Sequence, residues 1–175
     1  MPSQESSTQC INMSEYTNDD ITSLVYCPKC IVEPPRKEMK LERGQMRNDF
    51  GLESEDGQHK FSAFVRVNEQ FRENFTVGLK YHPQEGQSFN VFRCNGPHGN
   101  HVDIAQEHQH YQFHIHEVAA ASVNEGNAIE RCATVTSHYA SYEECLRFFL
   151  GHINVVDADK HFPEPAPKLP LFDTD

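Results

Sequence analysis

The chain has 175 residues, 37% of them hydrophobic, and a formal net charge of −11 with its eleven histidines neutral. That length supports one domain with a real core. The acidity disfavours unspecific binding to nucleic acid or to an anionic membrane, which needs a positive field, and no run approaches membrane-spanning length.

The charge is uneven along the chain. Residues 1–35 carry five acids and one lysine, residues 36–82 nine bases and eight acids, and residues 83–175 thirteen acids and five bases. The last segment also holds nine of the eleven histidines. Such a surface suits a basic protein partner, a cation, or no partner at all.

Residues 1–20, MPSQESSTQCINMSEYTNDD, predict a flexible polar lead without the apolar segment of a signal peptide. The expected location is cytoplasmic, with no membrane contact. In that compartment Cys10, Cys27, Cys30, Cys94, Cys132 and Cys145 read as thiols or metal ligands more readily than as disulfides. ITSLVYCPKCIVEPP, closed by Pro34 and Pro35, predicts an edge strand or docked arm.

From Met46 the pattern has period two. Met46, Asn48, Phe50 and Leu52 alternate with Arg47, Asp49, Gly51 and Glu53, and Asp56-Gly57 supplies a hairpin turn. KFSAFVRV, FTVGLKY, SFNVFRC and HYQFHIHEV follow as strands, separated by polar or Gly/Pro-containing turns. Five short strands in sequence order predict an antiparallel meander. Ser141-Tyr-Glu-Glu144 has the capping-box pattern and opens a helix with Tyr142, Cys145, Leu146 and Phe149 on one stripe, stopped at Gly151. VAAASVNE predicts a second, shorter helix ended by Gly126. The expected fold is therefore α+β, a β-meander of about five strands packed against one or two C-terminal helices. It forms a single domain over 21–156. Residues 157–175, with four prolines between His161 and Thr174, predict an acidic extended tail. An exposed edge strand would make a homodimer as accessible as a monomer.

The runs IVEPPRK, NDFGLESEDGQHKFSAFVRVNEQFRENFTVGLKYHP, RCNGPHG, FHIHE and YASYEECLRFFLGHINV together resemble a family of small, functionally uncharacterised bacterial proteins. The similarity covers about residues 31–155 and implies a single domain. It implies no activity and no site residues.

Six histidines crowd the stretch from Asn95 to Val118. In an extended backbone His108, His110, His114 and His116 point one way, and Tyr111, Phe113 and Ile115 the other. Three readings are open. The histidine face is the solvated side of the sheet. Or it binds Zn or another divalent transition metal through His114 and His116, with His98 or His101 and Asp103 or Glu107 completing the set. Or His114, His116 and His98 exchange protons in phosphodiester cleavage while Arg93 holds the phosphate. Cys27-Pro-Lys-Cys30 is half of a zinc knuckle, for which Cys94 and His98 are the available partners. RCNGPHGNH lacks the Lys-Ser/Thr ending of a phosphate-binding loop.

Two functional expectations follow. One is a small acidic binding or regulatory protein, an inhibitor of a basic nucleic-acid-handling partner of mobile-element or phage type, with no direct nucleic-acid contact. The other is a histidine-based phosphodiesterase or ribonuclease, or a metal-dependent enzyme.

Overall fold

The structure is a computed structural model that describes residues 15–98, 111–126 and 133–163. In chain order the elements are α1 (Asn18–Tyr26), β1 (Lys29–Glu33), β2 (Lys40–Glu42), β3 (Gln45–Ser54), β4 (Lys60–Asn68), β5 (Phe75–His82) and β6 (Phe89–Asn95). They continue with β7 (His114–Glu117), α2 (Ala120–Asn124), β8 (Thr134–Val135), α3 (Tyr142–His152) and α4 (Ala158–His161).

The alternation from Met46 onward folds as the pattern requires. β3, β4, β5, β6 and β7 pair as consecutive antiparallel neighbours. Three further strands complete an eight-stranded sheet among the described residues: β1 and β2 both flank β3, and β8 pairs with β7. One face carries Phe50, Leu52, Phe61, Ala63, Val65, Val77 and Leu79, all buried. β2 returns to β3 through Arg43-Gly44, whose φ values of 52° and 74° are both left-handed, as a two-residue hairpin demands. A bulge between β5 and β6 leaves Val91 opposite no residue, so Val91 and Phe92 are adjacent yet both buried.

The helices cover the apolar face. α3 begins at the expected Ser141, whose hydroxyl accepts from the Glu144 N–H at 3.2 Å. Its Cys145 and Phe149 are fully buried, and Phe149 stacks on Phe92 with ring centroids 6.2 Å apart. Truncating one such buried ring to alanine costs about 3–5 kcal/mol. Gly151 does not stop α3, which runs through His152. The chain turns at Asn154, which adopts φ 58°, so Ile153 drops into the core. Asparagine tolerates that conformation.

Two expected boundaries shift. α1 begins at Asn18, inside the segment read as a polar lead. Thr17 and Asp20 form a reciprocal capping box, and Ile21, Leu24 and Val25 bury one face. Of the predicted edge strand, only residues from Lys29 onward are extended. At the other end α4 continues the fold past residue 156, and Phe162 packs on Phe50 at 5.3 Å.

Lys29 fastens the helices to the sheet. It is fully buried, and its Nζ donates to the carbonyls of Val25 and Cys27 at 2.8 Å and of Ile153 at 3.1 Å. The ammonium also lies 4.8 Å from the centre of the Phe61 ring. One side chain thus joins the C-terminal ends of α1 and α3, where helix dipoles favour a cation. Burial lowers its pKa from the usual 10.5.

No helix among the described residues is long and apolar enough to cross a membrane.

Candidate functional site

β6 and β7 assemble the histidine cluster. Their register sets Arg93 opposite His116, Cys94 opposite Ile115 and Asn95 opposite His114. Ile115 and Cys94 therefore share the core face with Val77, and His114 and His116 take the other face with Arg93 and Asn95. The expected sorting of imidazoles from aliphatics holds at these positions. The His114 ring lies 5.0 Å from that of His116 and 5.0 Å from that of His98, centroid to centroid. Four predicted residues, Arg93, His98, His114 and His116, are thus brought to one end of the sheet.

The solvated-face reading does not survive this geometry. His114 is 0% exposed and His116 5%. A strand face is wet or dry according to what covers it, and alternation alone does not decide which. His114 Nδ1 lies 2.7 Å from the Gln112 carbonyl, which only accepts, so Nδ1 carries a hydrogen and donates it there. Behind the pair, Tyr139 locks β6 to β7: its hydroxyl donates to the His114 carbonyl at 2.8 Å and accepts from the Asn95 N–H at 3.2 Å. Burial pushes the Tyr139 phenol far above its ordinary value, so it stays neutral. Asn95 is held in turn by Thr76, whose hydroxyl donates to Oδ1 at 2.8 Å.

The metal expectations divide. His101, Asp103, Glu107, His108 and His110 lie outside the described residues. Among those described, no group of three or more His, Cys, Asp or Glu side chains is arranged to hold a metal ion. Cys94 is fully buried and points into the core, on the opposite face from His114. Cys27 sits in the turn after α1, with its thiol donating to the Leu24 carbonyl at 3.6 Å, and Cys30 lies on β1.

A second feature emerges only in three dimensions. The segments on the helical side of the sheet, residues 15–27, 117–126 and 141–163, carry nine acids (Glu15, Asp19, Asp20, Glu117, Glu125, Glu143, Glu144, Asp157 and Asp159) and two bases, Arg147 and Lys160. All the acids but Asp157 are exposed. The strands and turns from Lys29 to Asn95 hold ten acids and eleven bases. The acidity of the described fold therefore sits on one layer. Between α1 and the ends of β6 and β7 this layer opens into a cleft of about 360 Å³, with Val25 and Val118 on its floor and Glu117 on its wall. Sequence reasoning missed Asp19 and Asp20 as part of that surface because residues 1–20 read as a flexible lead and Ile21–Tyr26 as part of an edge strand or docked arm. The signal was present in Thr17-x-x-Asp20 ahead of Ile21, Leu24 and Val25.

No protein-family model, curated protein or solved structure matches this chain.

Proposed function

We propose that this chain is a small acidic, cytoplasmic binding or regulatory protein whose helical layer docks on a basic protein partner. The role that fits is inhibition of a nucleic-acid-handling protein, of the kind that mobile elements and phages encode. The observation that carries this reading is the split of charge: nine acids against two bases on the helical side, against near balance over the sheet. A single-sign surface steers an oppositely charged partner and raises its association rate by about 10–1000-fold at low salt. The cleft beside Glu117 offers a seat for an apolar or cationic anchor.

A histidine-based phosphodiesterase or ribonuclease is the second reading, favoured by Arg93 and His116 facing each other beside His98 and His114. It has less support, because His114 and His116 are buried out of reach of a phosphodiester.

The test is capture from extract of the cells that make the protein, at low and at raised salt. The full chain is compared with a variant carrying Asp19→Asn, Glu143→Gln and Asp159→Asn. The expected result is a basic protein held at low salt, released by salt and lost by the variant. A partner retained equally by the variant would refute docking through the helical layer. Cleavage of RNA that disappears in His116→Ala would favour the second reading instead.

A further inference from the structure

The sheet face turned away from the helices forms three rows across the strands. Arg47, Arg66 and Thr76 make one row. Asp49, Phe64, Gly78 and Arg93 make the next, and Gly51, Ser62, Lys80 and Asn90 the third. On β1 Glu33 pairs with Gly51 and continues the third row, so these rows hold two acids, Glu33 and Asp49, against four bases, Arg47, Arg66, Lys80 and Arg93. We propose that this face is a binding track for single-stranded nucleic acid, with Phe64 as a stacking platform and Arg47, Arg66, Lys80 and Lys40 as phosphate contacts. The inference is independent of the docking role of the helical layer.

Three observations carry it. First, the face is recessed. A depression of about 470 Å³ is lined by Ser62, Phe64, Arg66, Lys80, Asn90 and Asp49. It adjoins a second of about 220 Å³, which shares Asp49 and adds Arg36, Lys40 and Arg47. Together the two recesses hold five bases (Arg36, Lys40, Arg47, Arg66, Lys80) and two acids (Glu42, Asp49), on a chain whose net charge is −11. From β2 to β6 the track crosses four strand spacings of about 4.8 Å, roughly 19 Å in all.

Second, both acids are already engaged by arginines that keep further donors. Glu42 accepts from Arg47 at 2.9 Å, and both carboxylate oxygens of Asp49 are held by Arg66. A guanidinium has five N–H groups, so neither arginine is exhausted. Among the described residues Lys40 and Lys80 form no ion pair with a carboxylate.

Third, an aromatic ring stands where a base would stack. The tip of the half-buried Phe64 ring lies over Gly78, so closely that a Cβ there would come within 2.3 Å of Cζ. The glycine thus lets the ring settle onto the sheet. The Arg66 guanidinium is 5.7 Å from the ring centre, a cation beside a π-face. Nearby, Ser62 and Asn90 offer hydroxyl and amide groups for base edges. A positive track with an aromatic platform is the chemistry by which proteins hold unpaired strands, and a duplex, whose bases are already stacked, gains nothing from the ring.

The experiment measures binding of the full chain to a fluorescent single-stranded oligonucleotide of about 12 residues by anisotropy, over a range of salt. A duplex of the same length and heparin serve as competitors. Phe64→Ala should weaken binding by about 5- to 150-fold, the range for loss of one stacked base, and Phe64→Tyr should retain it. Arg47→Gln with Lys80→Gln should lower the salt slope by about 1.4, for two phosphate contacts to a single strand. Thermal melts confirm that each variant is folded. Absence of binding at low salt would overturn the proposal. So would equal competition by duplex and heparin with Phe64→Ala unaffected, which means polyanion attraction alone.

Discussion

Replacing Lys29 with Met tests how the acidic layer is held on the sheet. Methionine nearly fills the lysine volume but donates nothing. The change strands three carbonyls, those of Val25, Cys27 and Ile153, in a fully buried site. Each stranded acceptor costs about 1–3 kcal/mol. Removing the ammonium also relieves its own desolvation, an effective penalty of several kcal/mol per buried ion. Water entering at the C-terminal ends of α1 and α3 offsets part of the remainder. The net expectation is a loss of about 2–4 kcal/mol, since breaking a satisfied buried charge network is destabilising. At this chain length that corresponds to a fall in Tm of roughly 5–15 °C. Urea unfolding of both proteins, with the slopes compared, gives the difference directly. A loss below about 0.5 kcal/mol, or a gain, would show that three lysine bonds do no more than offset the ammonium's desolvation. The pH dependence has a definite sign. Burial lowers the folded-state pKa of Lys29 below 10.5. Between the two values the unfolded chain holds more protons, so this group's contribution rises with pH through that window. Lys29→Met should remove that rise.

Two further predictions bear on other parts of the frame. A Cβ at Gly96 would lie 1.7 Å from the Glu73 carbonyl oxygen, a backbone atom that cannot move aside cheaply. Gly96→Ala should therefore cost about 2–3 kcal/mol by urea unfolding, and wild-type stability would contradict the packing described at the end of β6. His152 stacks on Phe92 with centroids 4.4 Å apart, and burial holds its pKa below the usual 6.5. Its contribution is full above pH 6.5 and declines as pH falls toward the folded value, where the unfolded chain takes up the proton first. Wild-type stability should drop between pH 7 and 5, and His152→Gln should shrink that drop. An unchanged drop would place the acid sensitivity elsewhere, with His82, also lowered by burial, the next candidate.

The strands were legible in the sequence because β3 to β6 each bury one face, and a half-buried strand writes its geometry as alternation. Ser141 was legible as a cap because capping is a local bond between a side chain and an N–H three residues on. α1 was harder. Its apolar stripe has only Ile21, Leu24 and Val25, so Asn18-Asp19-Asp20 look like the end of a polar lead and the short apolar run after them looks like a strand. Gly151 misled for a related reason: glycine often ends a helix, yet here Asn154 takes the left-handed position and the burial of Ile153 fixes where the chain leaves. At the histidines, alternation gave the sorting of His114, Ile115 and His116 onto faces. It could not give their burial, a property of what lies over the strand. The two charged layers were illegible for the same reason. Regional totals placed the acidity outside 36–82, but only the fold sets Asp19 and Glu143 on one side and Arg47, Arg66 and Lys80 on the other.

The most direct check on the docking account is carboxylate footprinting of the complex. The protein alone and bound to its captured partner are labelled with a carbodiimide and an amine, and the labelled acids are read by mass spectrometry. The account predicts protection at Asp19, Glu117, Glu143 and Asp159, with Glu38, Glu69 and Glu85 labelled as before. Protection confined to the sheet-side acids, or to none of them, would contradict it.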